Sequence, residues 1–250
     1  MVTTEAHRFA SFAALLADET RAAFCLALLD GRTWTAGELA RHAGVAASTA
    51  SAHLTRLVAA GVLAEVRQGR HRYLRLADVE TADLIERLTA HLPRIDDPPR
   101  GLREVRAEHA MVQARTCYDH LAGRLGVAIA DAMAARGLLA RESGLAITER
   151  GRAWFADLGA DPATWPRRRP AVRECLDWTE RRPHLAGACG AVLYRILLDR
   201  AWLVRTGDRR AVRVTPEGGA ALRELLGLDW PDRPDRPDPA PPTGRDPVHV

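Results

Sequence analysis

The stretch TAGELARHAGVAASTASAHLTRLVAAGVL, Thr35–Leu63, contains two short helical patterns separated by a tight turn. Leu39, Ala40 and Val45 give the first helix and the turn an apolar side. Ala50, Leu54, Leu57 and Val58 recur at helical spacing in the second, which is therefore predicted to bury one face and present the other. Gly44 stands where the chain must reverse, a position that suits a residue tolerant of unusual backbone angles. Past Gly61 the pattern becomes LAEVRQGRHRYLRL, Leu63–Leu76. Leu63, Glu65 and Val66 lead into a Gln68–Gly69 turn, and Tyr73 to Leu76 alternate on the return. Two helices, a turn and a basic hairpin form the pattern of a winged helix-turn-helix. Its second helix would enter a DNA major groove and its hairpin would lie along the backbone.

The flanks fit the same unit. Thr4 to Ala17 carries Phe9, Phe12, Ala13, Leu15 and Leu16 at helical spacing. Asp18 and Thr20 offer a cap for a second helix containing Ala23, Phe24, Leu26, Ala27 and Leu28. Asp78 to Leu92 is amphipathic, with Val79, Ala82, Leu84, Ile85 and Leu88, and Pro93 ends it. Charge is concentrated in the same place. Between Arg41 and Arg75 six arginines face the single acid Glu65, whereas all 250 residues together carry only +4. Such a local excess is what phosphate neutralisation requires.

Leu16–Arg21 (LADETR), Glu38–Ala40 (ELA), Ser48–Leu57 (STASAHLTRL), Ala60–Leu63 (AGVL) and Gly69–Leu76 (GRHRYLRL) resemble the arsenical-resistance-repressor (ArsR) family of bacterial regulators. The resemblance runs in unbroken order over roughly the first 92 residues. It implies a DNA-binding regulator whose first and last helices in this domain make a homodimer. Two recognition helices would then meet a palindromic operator about one DNA turn apart.

Where that family often has Ser-Gln-Ser-Thr-Val-Ser-Arg-His-Leu, this chain has Ala46 to Leu54, AASTASAHL. Ala46 removes the usual capping hydroxyl, at a typical cost of about 1 kcal/mol. Base readout is left to Ser48, Thr49, Ser51, Thr55 and Arg56, with alanine methyls free to touch thymine methyls. Arg67, Arg70, His71 and Arg72 of the wing are placed for phosphate or minor-groove contact, the alternative being a solvated charged hairpin. His53 matches the family's common histidine and is expected to pack rather than to act as a ligand. The family's known metal sites fit poorly. Thr35-Ala36-Gly37 replaces its cysteine-rich box, and Glu80 stands where the dimer-helix pattern of Asp78 and His91 would ask for a second histidine.

The second half is set off by PRIDDPPRG, residues 93–101, read as a linker. A repeat follows within residues 102–228: DHLAGRLG at Asp119–Gly126 echoes PHLAGACG at Pro183–Gly190, 64 positions on. Each copy continues into an apolar helix, two short strands and a helix that Thr148 or Thr215 can cap, with Pro216 in a first helical turn. The expected fold class is therefore mainly α with small β-hairpins (α+β). An N-terminal winged helix-turn-helix spans residues 1–92, and a C-terminal effector or oligomerisation domain contains two repeated winged-helix-like units. Residues 229–250 hold seven prolines and read as a disordered tail.

Four cysteines, Cys25, Cys117, Cys175 and Cys189, are too scattered for a disulfide framework. Cys117, His120, Cys175, Asp177 and His184 form a candidate effector or metal set. Cys117 and His120, three apart on an expected helix, would share a face. Thiolate with imidazole suits zinc, another thiophilic metal or an oxidant; core packing is the competing reading. Arg115, Tyr118, Trp178 and Arg181 could instead line an organic effector pocket.

No nucleophile–base set, P-loop or dinucleotide fingerprint is present, so no enzyme activity is expected. No apolar run approaches a membrane helix and the first residues have no signal core, so the expected location is the cytoplasm. The expected function is that of a homodimeric repressor of transcription, released by a small-molecule or metal effector. No resident cofactor is expected, zinc or a similar metal being the exception considered. Three alternatives stand beside it: a metal(loid)- or redox-responsive regulator using Cys117 and Cys175, a winged-helix protein-interaction module without a small ligand, and an enzyme riding on a DNA-binding domain, for which the sequence offers no residue to carry the chemistry.

Overall fold

A computed structural model describes residues 3–68, 71–92, 101–141, 144–166, 169–206 and 210–231; the side chains of His71, Arg103 and Glu104 are not among those described. The linker at 93–100, the wing tip at 69–70 and the tail from 232 lie outside this set.

Helices α1 (Thr4–Leu16) and α2 (Glu19–Leu28) lead to the short strand β1 (Trp34–Thr35). Then come α3 (Ala36–His42), α4 (Ala47–Ala59), the strands β2 (Leu63–Gln68) and β3 (His71–Leu76), and α5 (Val79–His91). The three strands form an antiparallel sheet in the order β1-β3-β2. The caps are local and explicit. Asp18 accepts from the Arg21 amide, Asp78 accepts from the Thr81 amide, and Thr35 with Glu38 makes a reciprocal capping box. Gly44 takes φ +67° at the α3–α4 turn. Phe24, Leu28, Leu39, Ala50, Leu54, Leu57, Leu74 and Leu76 close one core beneath these elements.

The second half opens with α6 (Leu102–Gln113) and continues as β4 (Arg115–Cys117), β5 (His120–Ala122), α7 (Gly123–Ala135), β6 (Leu139–Ala140), β7 (Ala146–Ile147) and α8 (Glu149–Asp157). A single 3-10 turn (Pro162–Thr164) precedes β8 (Arg173–Leu176), β9 (Pro183–Ala186), α9 (Gly187–Asp199), β10 (Leu203–Arg205), β11 (Val212–Val214) and α10 (Pro216–Leu226). The order hairpin, helix, hairpin, helix therefore occurs twice. Thr148 and Thr215 cap α8 and α10 through the Gly151 and Gly218 amides. A second core joins both copies, with Leu125, Ile129, Met133 and Phe155 of one against Leu185, Leu193, Leu197 and Leu222 of the other.

The repeat begins earlier than its sequence echo suggested. Cys117 and His120 are not three apart on a helix. They face each other across the β4–β5 hairpin, closed by the two residues Tyr118 and Asp119, with Tyr118 at φ +58°. The local cause is the chain reversal at Tyr118–Asp119, which puts Cys117 and His120 directly opposite each other on adjacent antiparallel strands, where helical spacing would have put them one turn apart.

The two halves share an interface. The Tyr118 side chain packs against the N-terminal core, and its amide donates to the Leu29 carbonyl at 2.7 Å. Glu86 on α5 pairs with Arg210, both buried, and Asp83 pairs with Arg173 of β8. Arg181 donates to the Ala90 carbonyl at the end of α5, and Arg205 to the Asp30 carbonyl.

Candidate functional site

Two places among the described residues have chemistry to offer. The first is the outer face of α4. Ala50, Leu54 and Leu57 are fully buried, which leaves Ser48, Thr49, Ser51, Thr55 and Arg56 on the exposed side. Ala46 makes no side-chain cap hydrogen bond at this helix end. Thr55 Oγ1 donates to the Ser51 carbonyl at 2.9 Å, which turns one of the proposed base-reading hydroxyls back onto its own helix. His53 is half-buried, its Nδ1 3.1 Å from Arg21 Nη1 and 3.5 Å from Asp18, and so ties α4 to the start of α2.

In the wing, Arg67 and Arg72 both donate to Glu65, each at 2.7 Å. These two arginines are therefore partly neutralised, and they hold the Glu65 carboxyl below its usual range. Arg70 and the His71 side chain lie outside the described residues.

The second place is a buried cluster between the two hairpins. Cys117 pairs with His120 across β4–β5, and Cys175 pairs with His184 across β8–β9. Arg115 pairs with Ala122 and Arg173 with Ala186 in matching register, so the two hairpins present the same Cys–His pair. The copies face one another. Cys117 Sγ lies 3.9 Å from Cys175 Sγ, and His120 Nε2 lies 3.2 Å from His184 Nε2. All four ligand atoms fall within 4.8 Å of one another, and all four residues are buried.

Glycines hold each helix against its own hairpin: a Cβ on Gly126 would stand 2.6 Å from the Leu121 carbonyl oxygen, and one on Gly190 2.3 Å from that of Leu185. A Cβ on Gly190 would also stand 3.1 Å from the Cβ of His120 in the other copy, whereas Gly126 is in ordinary contact distance of His184.

Around the cluster sits a charged shell. Asp119 Oδ1 is 3.2 Å from His120 Nδ1, and Asp119 is itself clamped by Arg169. Asp177 Oδ2 is 3.3 Å from His184 Nδ1, near enough for charge pairing though not aligned as a hydrogen bond. Asp177 also accepts from Arg115 at 2.8 Å and from the Gly123 amide at 2.6 Å, with Thr179 completing its contacts. Burial opposes charge on both carboxyls. The histidine and arginine partners outweigh it and hold both below the usual carboxylate range.

The same surroundings separate the sulfurs. Burial pushes the Cys117 thiol up. Hydrogen bonding from Cys117, and then from both imidazoles, pulls Cys175 down. Burial disfavours the His184 cation, but Asp177 and Cys175 raise its pKa to about 9. Cys25 and Cys189, by contrast, are core thiols pushed up to about 12 by burial.

Sequence spacing alone missed Asp119 and Arg169. Asp119 was visible as the neighbour of His120 in DHLAG, but the second copy has Pro183 at that place, and a longer loop supplies Asp177 instead. The four residues considered for an organic pocket are engaged in other contacts. Arg115 is buried against Asp177 and stacks over Trp178 at 4.5 Å, Tyr118 enters the N-terminal core, and Arg181 caps α5. On α5, Asp78 is an N-cap and His91 Nδ1 contacts the Arg87 carbonyl at 2.7 Å.

Comparison with known proteins places the first feature in context. A helix-turn-helix domain model matches residues 16–66. The uncharacterized HTH-type transcriptional regulator YdfF of Bacillus subtilis (strain 168) is 38% identical over 221 residues, 88% of this chain and 97% of that one. Among solved structures, the homodimeric winged helix-turn-helix DNA-binding domain Mb0332 from Mycobacterium bovis is 27% identical, covering 36% of this chain and 89% of that one, with a TM-score of 0.29. The cadmium metal-sensor CMTR from Mycobacterium tuberculosis is 32% identical, covering 38% and 99%, with a TM-score of 0.28. No described helix is long and apolar enough to cross a membrane. With 38% identity sustained over nearly the whole of YdfF, and with the recognition helix carried on a buried apolar face, the chain belongs to the helix-turn-helix family of transcriptional regulators.

Proposed function

We propose that this regulator is a cytoplasmic, ArsR-like homodimeric repressor that binds a palindromic operator through α4 and the β2–β3 wing and releases it when the C-terminal half receives a signal. The observation that carries this reading is the two-faced α4: fully buried on Ala50, Leu54 and Leu57, and exposed on Ser48, Thr49, Ser51 and Arg56. Such a helix has polar side chains to spend on base edges.

Support for the dimer comes from α1 and α5. Helix α1 carries an apolar set but buries none of its residues, and Phe9 is 75% exposed. Leu84 and Leu88 add exposed apolar surface on α5. Apolar faces left open on the first and last helices of the unit are what a second copy would cover. The C-terminal half, with its repeated order of hairpin and helix, is read as two winged-helix-like units that serve as a receiver and carry no catalytic function.

Fluorescence anisotropy on the DNA upstream of the protein's own gene, across a salt series, tests the proposal. Specific binding is expected, with sequence preference relaxed on Arg56→Ala and the log–log salt slope shallower by about one on Arg70→Ala. Absence of specific binding there and across a random operator library would favour the protein-interaction reading.

A further inference from the structure

We propose that Cys117, His120, Cys175 and His184 are the ligands of one metal ion of the zinc class: divalent, thiophilic and four-coordinate. The site goes beyond the DNA-binding reading, and its test uses no DNA, so either can fail without the other.

Distance is the first argument. A tetrahedral ion with metal–nitrogen bonds of about 2.05 Å and metal–sulfur bonds of about 2.3 Å has nitrogen–nitrogen and sulfur–sulfur edges of roughly 3.3 and 3.8 Å. The structure has 3.2 Å between the two Nε2 atoms and 3.9 Å between the two Sγ atoms. Core cysteines and histidines have no reason to meet at both edges of one coordination polyhedron.

Chemistry is the second. Two facing imidazole Nε2 atoms can share one proton, but a cation accepts both lone pairs at once. Each Nδ1 is turned toward a carboxylate, Asp119 for His120 and Asp177 for His184. That arrangement orients an imidazole and raises its strength as a metal ligand. His184 Nδ1 is buried without an aligned hydrogen bond, and a metal on Nε2 would leave an N–H there for Asp177 to accept.

Charge is the third. Two thiolates cancel a dication. The outer carboxylates are already balanced, Asp119 by Arg169 and Asp177 by Arg115. A loaded site is thus electrically closed, as a buried one must be. With four protein ligands and all four buried, no coordination position is left for water, which marks a structural or sensing site and excludes a catalytic one. Mixed thiolate and imidazole ligation in a tetrahedron selects zinc-like ions over calcium or magnesium.

The experiment is a titration of full-length, reduced, metal-stripped protein with Co(II) alone, followed by displacement with Zn(II). One equivalent per chain is expected, with tetrahedral ligand-field bands and sulfur-to-cobalt charge transfer, both lost on adding zinc. Cys117→Ser and Cys175→Ser should each remove part of the charge-transfer intensity. Asp119→Asn, which leaves all four ligands in place, should keep that band and weaken binding about 10- to 100-fold. Should the serine variants fail to fold, the wild-type spectrum and Asp119→Asn still decide. A wild type that leaves Co(II) octahedral, or charge transfer that survives in the double serine variant, overturns the proposal. So does a Cys117–Cys175 disulfide formed under mild oxidation in protein that takes up no metal, which would make the pair a redox couple instead.

Discussion

The Tyr118 amide donates to the Leu29 carbonyl at 2.7 Å, so the residue that follows Cys117 is hydrogen-bonded directly into the winged helix. Gly31, two residues beyond Leu29, sits at φ +73°, and a Cβ there would stand 2.2 Å from the Tyr118 carbonyl oxygen. Only glycine lets the α2–β1 connection come this close. Gly31→Ala adds a steric clash to an unfavourable backbone angle that is by itself worth about 1–3 kcal/mol. Differential scanning calorimetry should show a lower Tm. If the contact transmits occupancy of the cluster to DNA affinity, the ratio of operator affinities with and without zinc should move toward one in this variant. A ratio unchanged from wild type would place the coupling elsewhere.

Glu86 and Arg210 form a second link between the halves, both of them buried. Glu86→Ala leaves the Arg210 guanidinium in the interface without its partner, and urea unfolding should report a loss of about 3–5 kcal/mol. Glu86→Leu with Arg210→Leu removes both charges together and should recover most of that loss. A single mutant as stable as wild type would show that water reaches the pair.

Glu65 binds the wing arginines Arg67 and Arg72 at the same time. It therefore restrains the charge that the hairpin can offer to phosphate. Glu65→Gln is expected to raise affinity for non-specific duplex DNA and to steepen the salt slope toward one additional phosphate contact. The check is anisotropy with a random duplex, and equal slopes for wild type and variant would mean that the wing does not touch the backbone.

Three carboxylates cap or box helices of the winged unit, Asp18, Glu38 and Asp78, and all three are lowered from their ordinary values. Amide hydrogen bonds are the main cause for Asp18 and Glu38, and the Thr81 side chain and amide for Asp78. A carboxyl lowered in the folded state contributes stability above its unfolded pKa, and that stability is lost as pH falls through the folded value. Asp78→Asn keeps a good cap but has no charge to protonate. Its thermal stability near neutral pH should match wild type closely, while its loss of Tm below about pH 4 should be shallower. Parallel curves for the two proteins would show that Asp78 does not contribute to acid unfolding.

Local chemistry made much of the first half legible. Helical spacing at Ala50, Leu54 and Leu57 identified the buried side of α4, and Gly44, Asp18 and Asp78 marked where helices turn or start. These features depend on neighbours within one or two turns, so the chain displays them in order. The repeat was legible too, through DHLAG and PHLAG, but its first hairpin was not. Cys117 and His120 are compatible with one helical face, and only the reversal at Tyr118, with φ +58°, puts them on opposing strands.

What the sequence by itself determined is the winged helix with its concentration of arginine, the existence of a repeat in the second half, and the chemical types available there: two cysteines, two histidines and Asp177. What only the tertiary structure decided is that the Cys–His pairs meet. Cys117 and Cys175 are 58 residues apart and His120 and His184 are 64 apart. Within each copy a glycine, Gly126 or Gly190, lets the helix lie against the carbonyl of its own hairpin, Leu121 or Leu185, and the other copy's histidine packs beside it. The physical reason is range. Caps, turns and periodicity are fixed by bonds across a few residues, whereas convergence of four ligands depends on how two folded units pack, and no local pattern records that.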